Sequence, residues 1–526
     1  MPSEESPSTE PERLGSTERE RTNAAHDGRP IRPDGLPTPG SIVEDDASDP
    51  TDGPGASALV RIRADPGPAV LWGILAVLLL VPEIGAVASL IVNTLPSEAF
   101  ALIPGETVES VRRAVERIPT LLSRELLPNQ GYRIPGKGWH STAFGLSPAA
   151  AWALRVTLVL GYVVVWLVWT VAGYRLYRRR YRRADWTPMD DAVDRFSRHR
   201  WGQFGLIVVV LFVTFAVFAP TVSPTTAEQN IRQSYSHELV YYSESAESVK
   251  TTTVGSANLR TASQGTQSRN VGPLTYDRFG RFHPFGTLPS GRDLFTFMAA
   301  GARVSLFIGL LSITLSAVIA GGLALSSAYY RGRLDLAVVL LGDSVQAMPQ
   351  LLVIILVSVA LANTWLAGLY NGGVLIALVF AGTGWPGLWR AVRGPALRVS
   401  TEAWVEAAKG LGQRPTATMR KHMLPYIVGY LLVYGSMILG GVIIGIAGLS
   451  FLGLGVSPPT PEWGRAINVG QPYLNTRSWH ISLIPGLLIV LVVTGFNALG
   501  DGVRDAIDPQ SDVSGAEAAT AGGGGA

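Results

Sequence analysis

Apolar runs long enough to cross roughly 30 Å of hydrocarbon as helix recur along the chain at 69–93, 149–174, 203–220, 303–328, 336–362, 372–392, 425–447 and 481–500. Between them the sequence is polar, charged or rich in Gly and Pro. The pattern predicts an all-α fold, a polytopic membrane protein with about eight transmembrane helices. An even number of spans puts both termini on one side. The segment after the second run carries Arg175, Arg178, Arg179, Arg180, Arg182, Arg183, Arg195, Arg198 and Arg200, and positive charge next to a span marks the cytoplasmic side. The loop before residue 425 falls on the same side by this count and carries Arg390, Arg393, Arg398, Lys409, Arg414, Arg420 and Lys421. Arg112, Arg113, Arg117, Arg124, Arg133 and Lys137 oppose this assignment, because they fall outside. The cluster at 175–200 is denser and abuts its span, so it decides. The expected location is the cell membrane, multi-pass, with both termini cytoplasmic.

The spacing of the runs divides the chain. Residues 1–68 hold fourteen acidic side chains against seven Arg, too polar to offset the entropy of ordering, and form a disordered acidic cytoplasmic tail. Residues 69–194 make a two-span module. Residues 195–510 make a six-span core with an external insert at 221–300 and a cytoplasmic loop at 400–424. Residues 511–526 form a flexible tail. In the first external loop Val108, Val111, Val115, Ile118, Leu122 and Leu126 recur at helical spacing, which predicts an amphipathic helix lying on the membrane or on the protein's own loops. Asp335 and Asp343 are expected at the cytoplasmic interface as a cap or in salt bridges. Pro349, Pro386 and Pro485 fall inside apolar runs, where they kink helices.

Composition agrees with the pattern: 47% of residues are hydrophobic, 16% are charged, and the formal net charge is +3. With a mean hydropathy of +0.25, an ordinary soluble protein of 526 residues is excluded. The sequence contains no Cys, which rules out disulfides, thiolate metal sites and a cysteine nucleophile. No phosphate-binding G-x-x-x-x-G-K-[ST], H-E-x-x-H or G-x-S-x-G pattern occurs. The chain is therefore expected to be no enzyme, with no catalytic residue, cofactor or metal. Nucleic acid is not an expected partner, because the Arg run borders a span.

Residues 406–425, EAAKGLGQRPTATMRKHMLP, carry the most information. Glu406, Ala407 and Ala408 open a short helix, Gly412 supplies a turn, and a second amphipathic piece runs through Met419 to His422 before Pro425 starts the next span. A small-residue face seats closely against another protein, and Glu406 favours the helix N-terminus or meets a basic group. His422, without a second His or a carboxylate pair nearby, reads as a hydrogen-bonded or solvated contact, not a metal ligand. The spacing, with Gly412, His422, Leu424 and Pro425 in register, resembles the EAA signature of binding-protein-dependent ABC importer permeases. HPFGTLPSGRDLF (283–295), GARVSL (301–306), SFLGLGVSPPTPEWG (450–464) and GDGVRDAIDP (500–509) extend the likeness to the C-type subunit of dipeptide, oligopeptide and nickel importers. Leu288 stands where that family has Asp, and the two first spans lie outside the resemblance.

The resemblance implies an ATP-driven importer translocating peptides, with hydrolysis in separate subunits. The expected partners are a second, B-type permease subunit, two cytoplasmic ATPase subunits, an extracytoplasmic solute-binding protein and membrane lipid. Coupling to the ATPase falls on Glu406, Ala407, Ala408, Gly412, His422, Leu424 and Pro425. The alternatives are the same architecture carrying nickel or oligosaccharides, an ion-coupled secondary transporter, for which mid-span carboxylates are too few, and a membrane enzyme or receptor built on the outer loop.

Overall fold

The computed structural model describes residues 58–507, apart from 86–87, 89–109, most of 111–125, and 183–186. The tail through residue 57, residues 508–526, and the expected amphipathic positions Val108, Val111, Val115 and Leu122 lie outside the described residues. Ala58–Ala64 is helical, although the expected disordered tail runs to residue 68.

The apolar runs are helices. In chain order they are α1 (Gly67–Leu80), α2 (Pro148–Leu176), α3 (Pro188–Arg198), α4 (Arg200–Val217), α5 (Leu294–Tyr330), α6 (Gly332–Ala347), α7 (Gln350–Ala360), α8 (Gly373–Ser400), α9 (Ala403–Gly410), α10 (Leu424–Phe451), α11 (Trp463–Gly470) and α12 (His480–Ile507). Among the described residues, six helical stretches are long and apolar enough to cross a membrane, or seven if α6 and α7 form one bent span, and Gly67–Glu83 is a shorter apolar helix. The fifth predicted run, 336–362, is not one straight helix: α6 and α7 meet at 84°. Met348 is extended there (ψ 136°) and Pro349 follows. Pro disfavours helical geometry in the residue before it, so the chain breaks instead of kinking. By contrast, Pro386 and Pro485 stay inside continuous helices.

Small residues set the crossing of α4 with α12. A Cβ at Gly205 of α4 would sit 2.6 Å from Gly495 O of α12, and one at Gly202 would sit 2.9 Å from Gly502 Cα. Two backbones approach this closely only where both lack side chains. Around the crossing, Phe212, Met298, Leu439, Ile443, Trp463 and Phe496 form one apolar core. A second core joins α5, α8 and α10 through Leu325, Leu388, Trp389, Val392, Met423 and Ile427. Buried packing of this density is the main source of helix association where lipid leaves no hydrophobic driving force.

The first two helices pair through aromatics. Trp72 of α1 stacks on Trp169 of α2 at 4.0 Å, and each indole N–H donates to the other's backbone carbonyl, at 3.3 and 3.2 Å. Buried Trp N–H groups need such partners. The first turns of α2 are built into the core, where Trp152 Nε1 donates to Val222 O, Arg155 to Leu127 O and Ser223 O, and Val159 packs with Ala219, Val222 and Phe295; near its other end Tyr174 Oη donates to Asp190 Oδ1 of α3 at 3.4 Å.

Three antiparallel hairpins punctuate the all-α architecture at the opposite end from the Arg-rich segments: β1 (Tyr132–Ile134) with β2 (Gly138–His140), β3 (Glu238–Ser243) with β4 (Ser248–Thr253), and β5 (Thr275–Tyr276) with β6 (Phe282–His283). The expected insert at 221–300 therefore carries real secondary structure, and it ends earlier than expected because α5 starts at Leu294.

Candidate coupling site

The loop at 400–424 folds onto the end of the bundle formed by the last turns of α5 and α8 and the first of α10. Glu402 occupies the N-cap and α9 begins at Ala403, one turn before the expected start at Glu406. Every third or fourth residue of α9 faces inward: Val405 is fully buried and Ala408 nearly so, against a core that includes Val399, Met423 and Ile427. Lys409 holds the helix down by donating to Ser400 O at 3.4 Å and by lying 4.9 Å over the Tyr329 ring. Trp404 stacks on Tyr426 at 5.5 Å, tying α9 to the first turn of α10.

With the base buried, the other face projects. Glu406, Ala407, Gly410 and Gly412 are exposed, and Leu411 is 88% exposed. Gly412 turns the chain at φ +74°, a left-handed conformation that L side chains adopt only at a cost. Gln413 N then donates to Ala408 O and Thr418 Oγ1 to Gln413 Oε1, which closes the turn. The second piece is a short helix (Pro415–Thr418), a wide turn (Met419–Met423) and then α10, running helically into the span. Pro425 sits in the first turn of α10, where its missing N–H leaves no bond unmade. His422 and Leu424 are half-buried beneath the knob, not on its tip.

Thus the structure gathers Glu406, Ala407 and Gly412 on one projecting surface, puts Ala408 in its base, and leaves His422, Leu424 and Pro425 in the support. Sequence reasoning missed Leu411, Trp404 and Lys409. A bare Leu between Gly410 and Gly412 was the available signal. Asp335 and Asp343 form the expected salt bridges, the first with Arg393 and the second with Arg390.

At the opposite end, the motif 283–295 builds a buried ionic cluster. His283 Nδ1 lies 2.7 Å from Asp293 Oδ2 and its Nε2 lies 3.3 Å from Asp277 Oδ2. Arg281 Nε donates to Asp277 at 2.7 Å. Asp293 also caps α5, accepting from Thr296 N at 2.7 Å. Burial disfavours the imidazolium, yet bonds to two carboxylates outweigh it and raise the His283 pKa. Burial likewise opposes the Asp277 carboxylate, but Arg281 and His283 overcome it and hold Asp277 well below the usual range. Leu288 is buried in the apolar core, so no carboxylate is missing from this cluster. Nearby, Trp463 Nε1 donates to Met298 O at 2.7 Å, and Glu462 is wholly buried, with Oε2 accepting from Gly464 N and Arg465 N. Burial pushes the Glu462 carboxyl up to about 7.

Residues 304–512 match the binding-protein-dependent transport system inner membrane component family, and residues 187–238 match the N-terminal transmembrane domain of oligopeptide transport permease C. The oligopeptide transport system permease protein OppC of Bacillus subtilis is 32% identical over 320 residues, covering 61% of this chain and 89% of OppC. The chain belongs to the binding-protein-dependent transport permeases. Further relatives are the glutathione transport system permease protein GsiD of Escherichia coli, 32% identical over 62% of this chain and 91% of GsiD, and the dipeptide transport system permease protein DppC of Alkalihalophilus pseudofirmus, 29% identical over 62% and 90%. The permease is a transport subunit and not itself catalytic. Its matched region begins at α3, so α1 and α2 are additions to the shared core.

Proposed function

We propose that this permease carries peptides inward across the cell membrane as one half of an ATP-driven importer, with a B-type permease subunit as the other half. Two ATPase subunits bind at the cytoplasmic loops, and a solute-binding protein delivers cargo from the hairpin-bearing side. Both termini are cytoplasmic in this reading, as the Arg-rich segments require. The observation that carries it is the projecting knob of α9 and Gly412: its inner face is fixed to three spans, while Glu406, Ala407 and Leu411 are exposed among the described residues. A push on such a knob moves α5, α8 and α10 together. Relatives named for oligopeptide, glutathione and dipeptide transport support peptides; nickel and oligosaccharides find no support in those names, and no ion-coupled mechanism is needed.

Purification of the complex from native membranes, followed by an ATPase assay, tests the reading. An ATPase should co-purify, and its repeated absence would refute the role. Glu406→Arg should lower recovery of the motor roughly tenfold, about 1.4 kcal/mol of docking free energy. Gly412→Pro, which cannot adopt the positive φ, should uncouple hydrolysis from uptake while membrane insertion stays at wild-type level.

A further inference from the structure

The route of the solute is written in a polar seam between α6–α7 and α8. Three rungs climb it. Asp335 pairs with Arg393 near the end of α8. One turn further in, Arg390 bonds both Asp343 and Gln346. At the break between α6 and α7, Gln350 Nε2 donates to Thr383 Oγ1 at 3.2 Å. Thr383 lies close to the middle of α8, roughly 15 Å from Arg393 at helical rise, so the third rung is near the centre of the span.

Two features set this face apart from the lipid-facing surface. First, the seam is open on one side: the Arg390 and Asp343 side chains are 46% and 54% exposed, and Gln346 and Gln350 are exposed as well. Elsewhere the exposed mid-span positions are mostly apolar, as at Val318, Leu432, Ile444, Leu487 and Val490, and the polar exceptions, such as Thr314, carry no charge. Ionisable groups inside a membrane face a bundle interior or water, because facing hydrocarbon costs several kcal/mol. Second, the 84° break leaves non-helical backbone at Met348 and Pro349 exposed among the described residues. Irregular backbone at that depth occurs only where protein buries it or where it lines a water-filled cavity.

Resting on the importer reading above, we infer that this seam lines the aqueous conduit, with Gln346, Gln350 and Thr383 forming transient hydrogen bonds to the amide groups of the passing peptide. Amides and a hydroxyl both donate and accept, so they match a peptide backbone whatever its side chains. Arg390 is neutralised by Asp343, so the wall presents no net charge that would trap one class of peptide. A transit site must hold its cargo weakly enough to release it.

The chain contains no Cys, so single Cys substitutions report one position each. In the complex reconstituted in lipid, Gln350→Cys and Gln346→Cys should react with a charged, membrane-impermeant thiosulfonate roughly 100-fold faster than Val318→Cys, because a thiol in hydrocarbon keeps its proton. A saturating dipeptide delivered with the binding protein should slow labelling at Gln350→Cys several-fold, by roughly the fractional occupancy. Reaction at both seam positions no faster than at Val318→Cys would overturn the inference, and would indicate that protein, not water, covers the seam. If one variant fails to assemble, the other decides. Loss of ATP-dependent uptake in the unsubstituted complex would instead strike the importer reading, while the labelling rates would still judge the conduit.

Discussion

Glu462 is a single residue whose environment makes a measurable demand. It caps α11 with one oxygen while lying wholly out of solvent, and burial raises its pKa to about 7. A carboxyl whose folded pKa exceeds its unfolded value of 4.5 binds more protons when folded, so stability falls as pH rises from about 4.5 through about 7. The whole effect is on the order of 3 kcal/mol. Glu462→Gln should therefore raise thermal stability at about pH 8 and change it little at about pH 5; thermal unfolding followed at both pH values checks this, and an equal shift at the two would show that ionisation is not the cause. His283 works in the same direction, since its raised pKa means that its contribution is complete below about 6.5 and is lost as pH rises through the folded value. Asp277, held low, withdraws its contribution only in strong acid. At this scale the sequence was partly legible. The motif around His283 marked the right segment, but its ion-pair partner Asp277 came from a turn outside the motif, and burial of Glu462 depends on contacts with α5 and α10 that no local pattern encodes.

At the scale of elements, hydropathy located the spans well because lipid forces every backbone group to find its partner within the helix. The errors have physical reasons. Pro349 was visible as a kink, yet the 84° break also needed the extended Met348 and a neighbour, Thr383, to satisfy Gln350. The β3–β4 hairpin was hidden because its strands, ELVYYS and SVKTTT, are mostly exposed and lack clean alternation. The turn that forms the projecting knob was legible in Gly412, and Glu406, Ala407 and Ala408 marked the helix before it, whereas the exposure of Leu411 and the stacking of Trp404 followed only from the structure. The α4–α12 crossing gives an element-scale prediction. Gly205→Leu would force apart backbones already near contact, and overpacking of this kind costs about 1–3 kcal/mol or more. The variant should be recovered in much lower yield as a monodisperse complex by size-exclusion chromatography, while Gly429→Leu, at a position with open space around it, should behave as wild type.

For the whole molecule, the two N-terminal helices α1 and α2 and the matched core that begins at α3 are joined in an uneven way. Trp152, Arg155 and Val159 bind α2 to the core near the hairpin-bearing end and Tyr174 reaches Asp190 of α3 near the other, while most of α2 between them is not covered by the described residues. Sidedness can be read directly: a Cys placed at Ser245, beyond the hairpin strand β3, should label from outside intact cells, and one at Thr416 should label only after permeabilisation. The reverse pattern would invert the assigned topology and remove the knob from reach of any cytoplasmic motor.

The glycine crossing of α4 with α12 has one more consequence. It brings the start of the shared core against its last helix, and His199, between α3 and α4, lies 3.4 Å from Asp505 of α12. Phe196 of α3 also reaches Gly502, so both ends of the matched core meet at one place. A pair of fluorophores at Arg198 and Arg504, both exposed beside this meeting point, is therefore expected to give high energy transfer, a reference distance against which movement of the other helices can be gauged.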